Sequence, residues 1–125
     1  MHEIQVPNAL PPAGHYAPAV VHNGLVFVSG ILPKNLQTGE TYNLLPIEEQ
    51  ARVVLQNLAT ILDAAGSSPE KVLKTTVYVA DIDLWQRVNA VYASFFGAHR
   101  PARSIVPVPK LHFDVLIELE AVAHQ

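Results

Sequence analysis

The chain has 125 residues, half of them apolar and only 15% charged, which predicts a single domain, 1–125, with a buried core and excludes a disordered tail. It has no cysteine, and eight Lys and Arg stand against eleven Asp and Glu for a net charge of −3; disulfides, thiolate catalysis and cysteine-bound metals are excluded, and no basic excess points to nucleic acid. No apolar run reaches the roughly 18 residues of a membrane span, and Met1-His2-Glu3-Ile4-Gln5 has no basic-then-apolar signal, so the expected location is cytoplasmic.

Two apolar runs, Pro18–His22 and Leu25–Ser29, flank Asn23-Gly24, a dipeptide that tolerates the positive φ of a two-residue turn and predicts a hairpin. Thr38-Gly39 reads as a turn within Lys34–Thr41. Pro46–Ala65 is the clearest helix. Pro46 suits the first helical position, and Glu48 and Glu49 suit the positive end of the helix dipole. Ile47, Ala51, Val54, Leu58, Ile61 and Ala65 recur at helical spacing, and Gly66 suits the C-terminal cap. Glu70–Ala80, rich in Val, Thr and Tyr, reads as a strand. A second helix starts at a cap, Asp81 or Asp83, and ends near Gly97. It has two apolar stripes: Leu84, Val88, Val91 and Phe95 in one; Trp85, Asn89, Tyr92 and Phe96 in the other. Either the helix is buried on both sides or the second stripe meets another subunit. Ala102–Val108 and Phe113–Ala123 read as the final strands, the last alternating in and out. The order is β-β-α-β-α-β-β: an α+β fold, with two helices on one face of a mixed or antiparallel sheet. Its other face keeps apolar residues that self-association would bury.

Arg103 begins an otherwise apolar strand. Such a residue is either paired with a carboxylate of the protein or a fork that grips a substrate carboxylate through two hydrogen bonds. If the last two strands form a hairpin turning near Lys110-Leu111, Glu118 falls opposite Arg103, as an ion-pair partner or as the group that positions a water. Glu120 shares the strand face of Glu118. Tyr16 is a packing residue or a cover over a ligand, and Gly30 ends a strand or admits a ligand close to the backbone. The six histidines make no pair at metal-ligand spacing, no nucleophile elbow or phosphate loop is present, and Lys74 has no visible neighbour that would lower its pKa.

In order, Gly14-His15-Tyr16, Asn23 through Gly30, Thr38-Gly39-Glu40, Gln50 with Asn57-Leu58, Ala64-Ala65-Gly66, Lys74 through Tyr78, Asn89 through Tyr92 with Phe95-Phe96, Pro101-Ala102-Arg103-Ser104 and Ile117 through Ala121 run almost the length of the chain. This set resembles the RidA/YjgF family of reactive-intermediate (enamine/imine) deaminases. The resemblance implies a chorismate-mutase-like fold and a homotrimer whose sheets form a central barrel with three inter-subunit clefts. It implies cofactor-free hydrolysis of 2-aminoacrylate-type enamines and imines to 2-keto acids and ammonia. It further implies that Arg103 binds the carboxylate of a small imino or keto acid, that Glu118 positions the attacking water, and that Tyr16, Gly30 and Asn89 line the cleft. The residue two after Arg103, commonly Cys in the family, is Ile105, whose N–H can still contribute and whose side chain makes the pocket more apolar. Ile31, His15 and His112 also depart from the usual pattern. Two other readings fit the same residues: a pathway-specific deaminase of the aminomuconate type, and a ligand-binding or chaperone-like module without turnover. A ribonuclease role fits the charge least.

Overall fold

In the computed structural model, which describes residues 1–125, six strands and two helices follow one another: β1 (His2–Ile4), β2 (Ala19–His22), β3 (Leu25–Ile31), α1 (Ile47–Ala64), β4 (Val72–Val79), α2 (Trp85–Phe96), β5 (Ala102–Pro107) and β6 (Ile117–His124). Asn23 and Gly24 both take positive φ, 51° and 77°, so β2 and β3 form the expected two-residue hairpin. Pro46 lies one residue before α1 as its N-cap, not at the first helical position; its ψ of 156° is extended. The predicted stripe of α1 is fully buried. Asp81 caps a short 3-10 turn, Ile82–Leu84, by accepting from Asp83 N–H at 2.9 Å, and α2 continues from it to Gly97, φ 63°. No helix is long and apolar enough to cross a membrane.

The strands make one sheet in the order β1-β2-β3-β6-β4-β5. Every pair is antiparallel except β4 with β5, which runs parallel. This overturns the hairpin expected between the last two strands. β5 follows β4 through a helix, and such a crossover returns the chain parallel to the strand it left. The chain then crosses from the edge of the sheet to its middle, where β6 inserts between β3 and β4. β6 also begins at Ile117 rather than Phe113, because Phe113 and Asp114 take φ of 59° and 58° in a 3-10 turn. β1, which the sequence pattern did not reveal, adds a short strand beside β2.

Alternation along the strands separates two faces. Val26, Val28, Thr75, Val77, Val79, Ile117, Leu119, Ala121 and Ala123 are buried under the helices. The other face is open and mixed: Phe27, 45% exposed, stands in register with Val20 and Val122, beside Thr76, Tyr78, Glu118 and Glu120. Two buried amides on α1 fix the loops at the ends of this sheet. Gln50 donates to Asn43 C=O and Leu45 C=O and accepts from Leu116 N–H at 2.8 Å. Asn57 donates to Leu32 C=O and Lys34 C=O. One helix thereby holds the residue two before Glu118 and the residue two after Gly30.

Candidate functional site

Arg103 pairs in register with Thr75, so its side chain lies on the helix-covered face, at the open edge of the sheet. There α2 meets it. Arg103 Nη1 donates to Asn89 Oδ1 at 2.9 Å, and the guanidinium sits 4.7 Å from the centroid of the Tyr92 ring. Tyr92 is itself fixed, its hydroxyl 2.7 Å from Thr75 Oγ1. Burial raises the Tyr92 phenol above its usual range, while Thr75 and then Arg103 oppose that shift, so the ring face under the cation stays neutral. A guanidinium carries five N–H donors, and in this chain only one of them is engaged. No carboxylate pairs with Arg103. Arg87 is the contrast: it grips both oxygens of Glu48, at 2.7 and 2.9 Å, across the two helices. Beside Arg103 an open notch of about 310 Å³ is walled by Ile82, Trp85 and Ile105.

Glu118 lies elsewhere. It stands in register with Tyr78 on the open face, one strand over on the far side of β4. At about 4.8 Å per strand and about 3.3 Å per residue, two strands across and three residues along put its Cα roughly 14 Å from that of Arg103. Within one chain the two candidates thus occupy opposite faces of the sheet, and Glu118 does not hold the guanidinium of its own chain.

Glu118 instead reaches over Gly30. The β3–β6 ladder is irregular between Val28 and Ile31, and the Glu118 carboxylate fills the space this leaves: a Cβ at position 30 would fall 2.5 Å from Oε1. Such irregularities re-aim side chains. Burial pushes the Glu118 carboxyl above the ordinary carboxylate range; Glu120 adds to the rise, and His112 opposes it. Glu120 accepts a hydrogen bond from the Tyr78 hydroxyl at 2.5 Å, which in turn raises the Tyr78 phenol. Tyr16 is exposed on the segment before β2, its ring laid against Gly14. Ser29 Oγ donates to Ala17 C=O at 2.6 Å and ties that segment to β3, next to Gly30.

The candidates therefore fall into two groups. Arg103, Asn89 and Ile105 come together at the sheet edge; Glu118 and Gly30 come together on the open face; Tyr16 precedes Ala17, whose carbonyl accepts from Ser29, the residue before Gly30. Ile82, Trp85 and Tyr92 belong to the Arg103 group and were not read as site residues from the sequence. The signal for two of them was present, since Trp85, Asn89 and Tyr92 form one helical stripe, but its polar member was the only one assigned to a site.

Comparison with known proteins gives the frame for this arrangement. The family model described as Endoribonuclease L-PSP matches residues 6–125. A RutC family protein of Pyrococcus horikoshii is 42% identical over 118 residues, 94% of this chain and 93% of that protein. The 2-iminobutanoate/2-iminopropanoate deaminase of Escherichia coli K12 is 40% identical over 123 residues, 96% and 94% of the two chains. The crystal structure of the YjgF gene product from E. coli superposes with a TM-score of 0.92 at 38% identity, covering 100% of this chain and 99% of that one. With match and fold agreeing along the whole domain, this chain belongs to the YjgF/RidA family, some of whose members bear the name of imine deaminases.

Proposed function

We propose that the protein is a cytoplasmic hydrolase acting on C=N bonds, which converts reactive enamines and imines of the 2-aminoacrylate type to 2-keto acids and ammonia without a cofactor. The observation that carries this reading is the half-buried Arg103 guanidinium, oriented by Asn89 and Tyr92 yet paired with no carboxylate of the chain. A planar cation with free parallel donors suits a ligand carboxylate, which it can take bidentately.

The chemistry asks little more. The imine carbon is already electrophilic, more so once its nitrogen is protonated. Glu118, as the carboxylate, holds a water and takes its proton as oxygen adds to that carbon. Glu118 then passes the proton to the amine nitrogen of the carbinolamine; the C–N bond breaks, ammonia leaves, and the hydroxyl gives its proton back to Glu118 to form the keto acid. An enamine substrate enters as its imine tautomer. Fixing substrate and water in line supplies much of the acceleration.

Glu118 and Arg103 of one chain are about 14 Å apart on opposite faces, so one copy does not bring both to one ligand. The reading therefore sets the β5 edge of one subunit against the open face of the next. In a closed homotrimer this makes three composite clefts, with Arg103, Asn89 and Ile105 on one wall and Glu118, Gly30 and Tyr16 on the other. The same packing covers Phe27, Val20 and Val122. The family resemblance to a named deaminase supports the activity.

The test generates 2-aminoacrylate with a serine dehydratase and follows its decay. Acceleration by micromolar protein is expected; a decay that stays spontaneous sinks the activity. Sedimentation should give about three times the chain mass of 13.6 kDa, and a monomer would sink the composite site.

A further inference from the structure

The Arg103 notch has a second property that carboxylate binding does not use. Its three other walls, Ile82, Trp85 and Ile105, are all apolar. Ile82 is 45% and Trp85 41% exposed at the start of α2, where neither is needed to close the core. No acidic side chain of the same subunit lines the notch. The recess thus combines one cation with a broad apolar surface, which complements a ligand with one anionic end and a hydrocarbon body.

The position of these walls points the same way. A methyl-bearing imino acid held at Arg103 would leave Trp85, Ile82 and Ile105 bare, whereas an isobutyl or benzyl side chain has the length to lie against them. Covering Trp85 and the two isoleucines with hydrocarbon removes apolar surface on both partners from water.

Resting on the reading of Arg103 as a carboxylate fork, we infer that the protein prefers 2-imino acids with branched aliphatic or aromatic side chains, and that Trp85, with Ile82 and Ile105, determines this preference. The carboxylate lies on Arg103 and the side chain runs along α2 over the Trp85 ring. Each buried CH₂ is worth roughly fourfold. Three additional carbons on a surface open on one side should give about a tenfold advantage over the methyl-bearing acid.

An amino-acid oxidase supplies the imines from leucine, phenylalanine and alanine in turn, and kcat/KM is compared for each. Leucine- and phenylalanine-derived imines are expected to lead by about tenfold, and Trp85→Ala should collapse that ratio. Ile82→Ala, at an exposed position, repeats the test if the first variant folds poorly. Calorimetry with 4-methyl-2-oxopentanoate against pyruvate reads the same preference without turnover. Equal or reversed preference in both assays overturns the inference and leaves the deaminase reading intact. Tighter binding of the branched acid with no turnover of any imine overturns the deaminase reading and leaves the side-chain preference standing.

Discussion

Replacing Arg103 by Ala separates what this residue does for the fold from what it does for a ligand. For the fold, the change removes a hydrogen bond to Asn89 and a cation placed over Tyr92. A half-exposed charged hydrogen bond contributes about 1 kcal/mol and the cation–aromatic contact about 0.5–1 kcal/mol. The expected loss is therefore about 2 kcal/mol, within what a domain of this size tolerates. For the ligand, the change removes the only cation in the notch. Truncating one partner of a hydrogen-bonded charge pair costs about 2–5 kcal/mol. At about 1.4 kcal/mol per decade, kcat/KM should fall by roughly 30-fold to several thousand-fold. Arg103→Lys keeps the charge and loses the planar fork, so it should recover only part of the activity. Asn89→Ala, which frees the guanidinium without removing it, should fall between wild type and Arg103→Ala. The measurements are a thermal melt for each variant and imine hydrolysis above the spontaneous rate. An Arg103→Ala protein that melts normally and keeps kcat/KM within about threefold of wild type would falsify the assignment of Arg103 as the carboxylate anchor.

Gly30→Ala puts a methyl into the Glu118 carboxylate, and a displacement of about 1 Å in the water-positioning group should cost roughly 100-fold in kcat, with little change in the denaturation midpoint. Burial is the main cause of the raised Glu118 carboxyl, and Glu120→Gln removes the one charge that adds to it, while His112 remains to oppose it. Activity that needs ionised Glu118 is lost as pH falls through its raised pKa, so the acid limb of the kcat/KM profile should move to lower pH in this variant; an unmoved limb would contradict the role given to Glu118. By the same linkage, a carboxyl raised in the fold favours folding below its unfolded pKa of about 4.3 and loses that contribution as pH rises through the folded value. Glu118→Gln should therefore melt higher than wild type at neutral pH while losing activity, the stability gain narrowing in acid. Gln50→Leu strips three buried hydrogen bonds and leaves Leu116 N–H without a partner, which should cost about 3–5 kcal/mol in equilibrium denaturation.

How much of this was legible in the sequence depends on the range of the signal. The Asn23-Gly24 hairpin and the stripe on α1 are local: backbone sterics and helical periodicity decide them within a few residues. Alternation likewise put Glu118 and Glu120 on one face of β6. Which strand lies beside which is not local. Alternation in Ala102–Pro107 is the same whether its neighbour is β4 or β6, and only the strand-helix-strand order β4-α2-β5 carries the parallel pairing. Reading the last two strands as a hairpin put Arg103 opposite Glu118; the observed order puts them on opposite faces. The individual residues were visible as chemistry, and their division between an edge and a face was not. Trp85 was legible only as part of a stripe that is buried or meets another subunit, and Ile82 carried no signal; the notch beside Arg103 gives these two a use.

β6 is the last of the six strands to be synthesised and the one at the middle of the sheet. Until residues 117–124 leave the ribosome, β3 and β4 each present an unpaired edge, and Gln50 has no donor from Leu116 to accept. The nascent chain therefore holds two pieces, the β1–β2–β3 ribbon and the β4–α2–β5 unit, with α1 between them and no continuous sheet to cover it. Open strand edges of this kind are templates for aggregation, and the sequence-distant pairings of β6 are slow to form. A chain cut short before β6 would lack the whole middle of the sheet rather than one dispensable edge. It would keep Arg103 and lack Glu118, so no partly made copy carries the whole of the proposed chemistry.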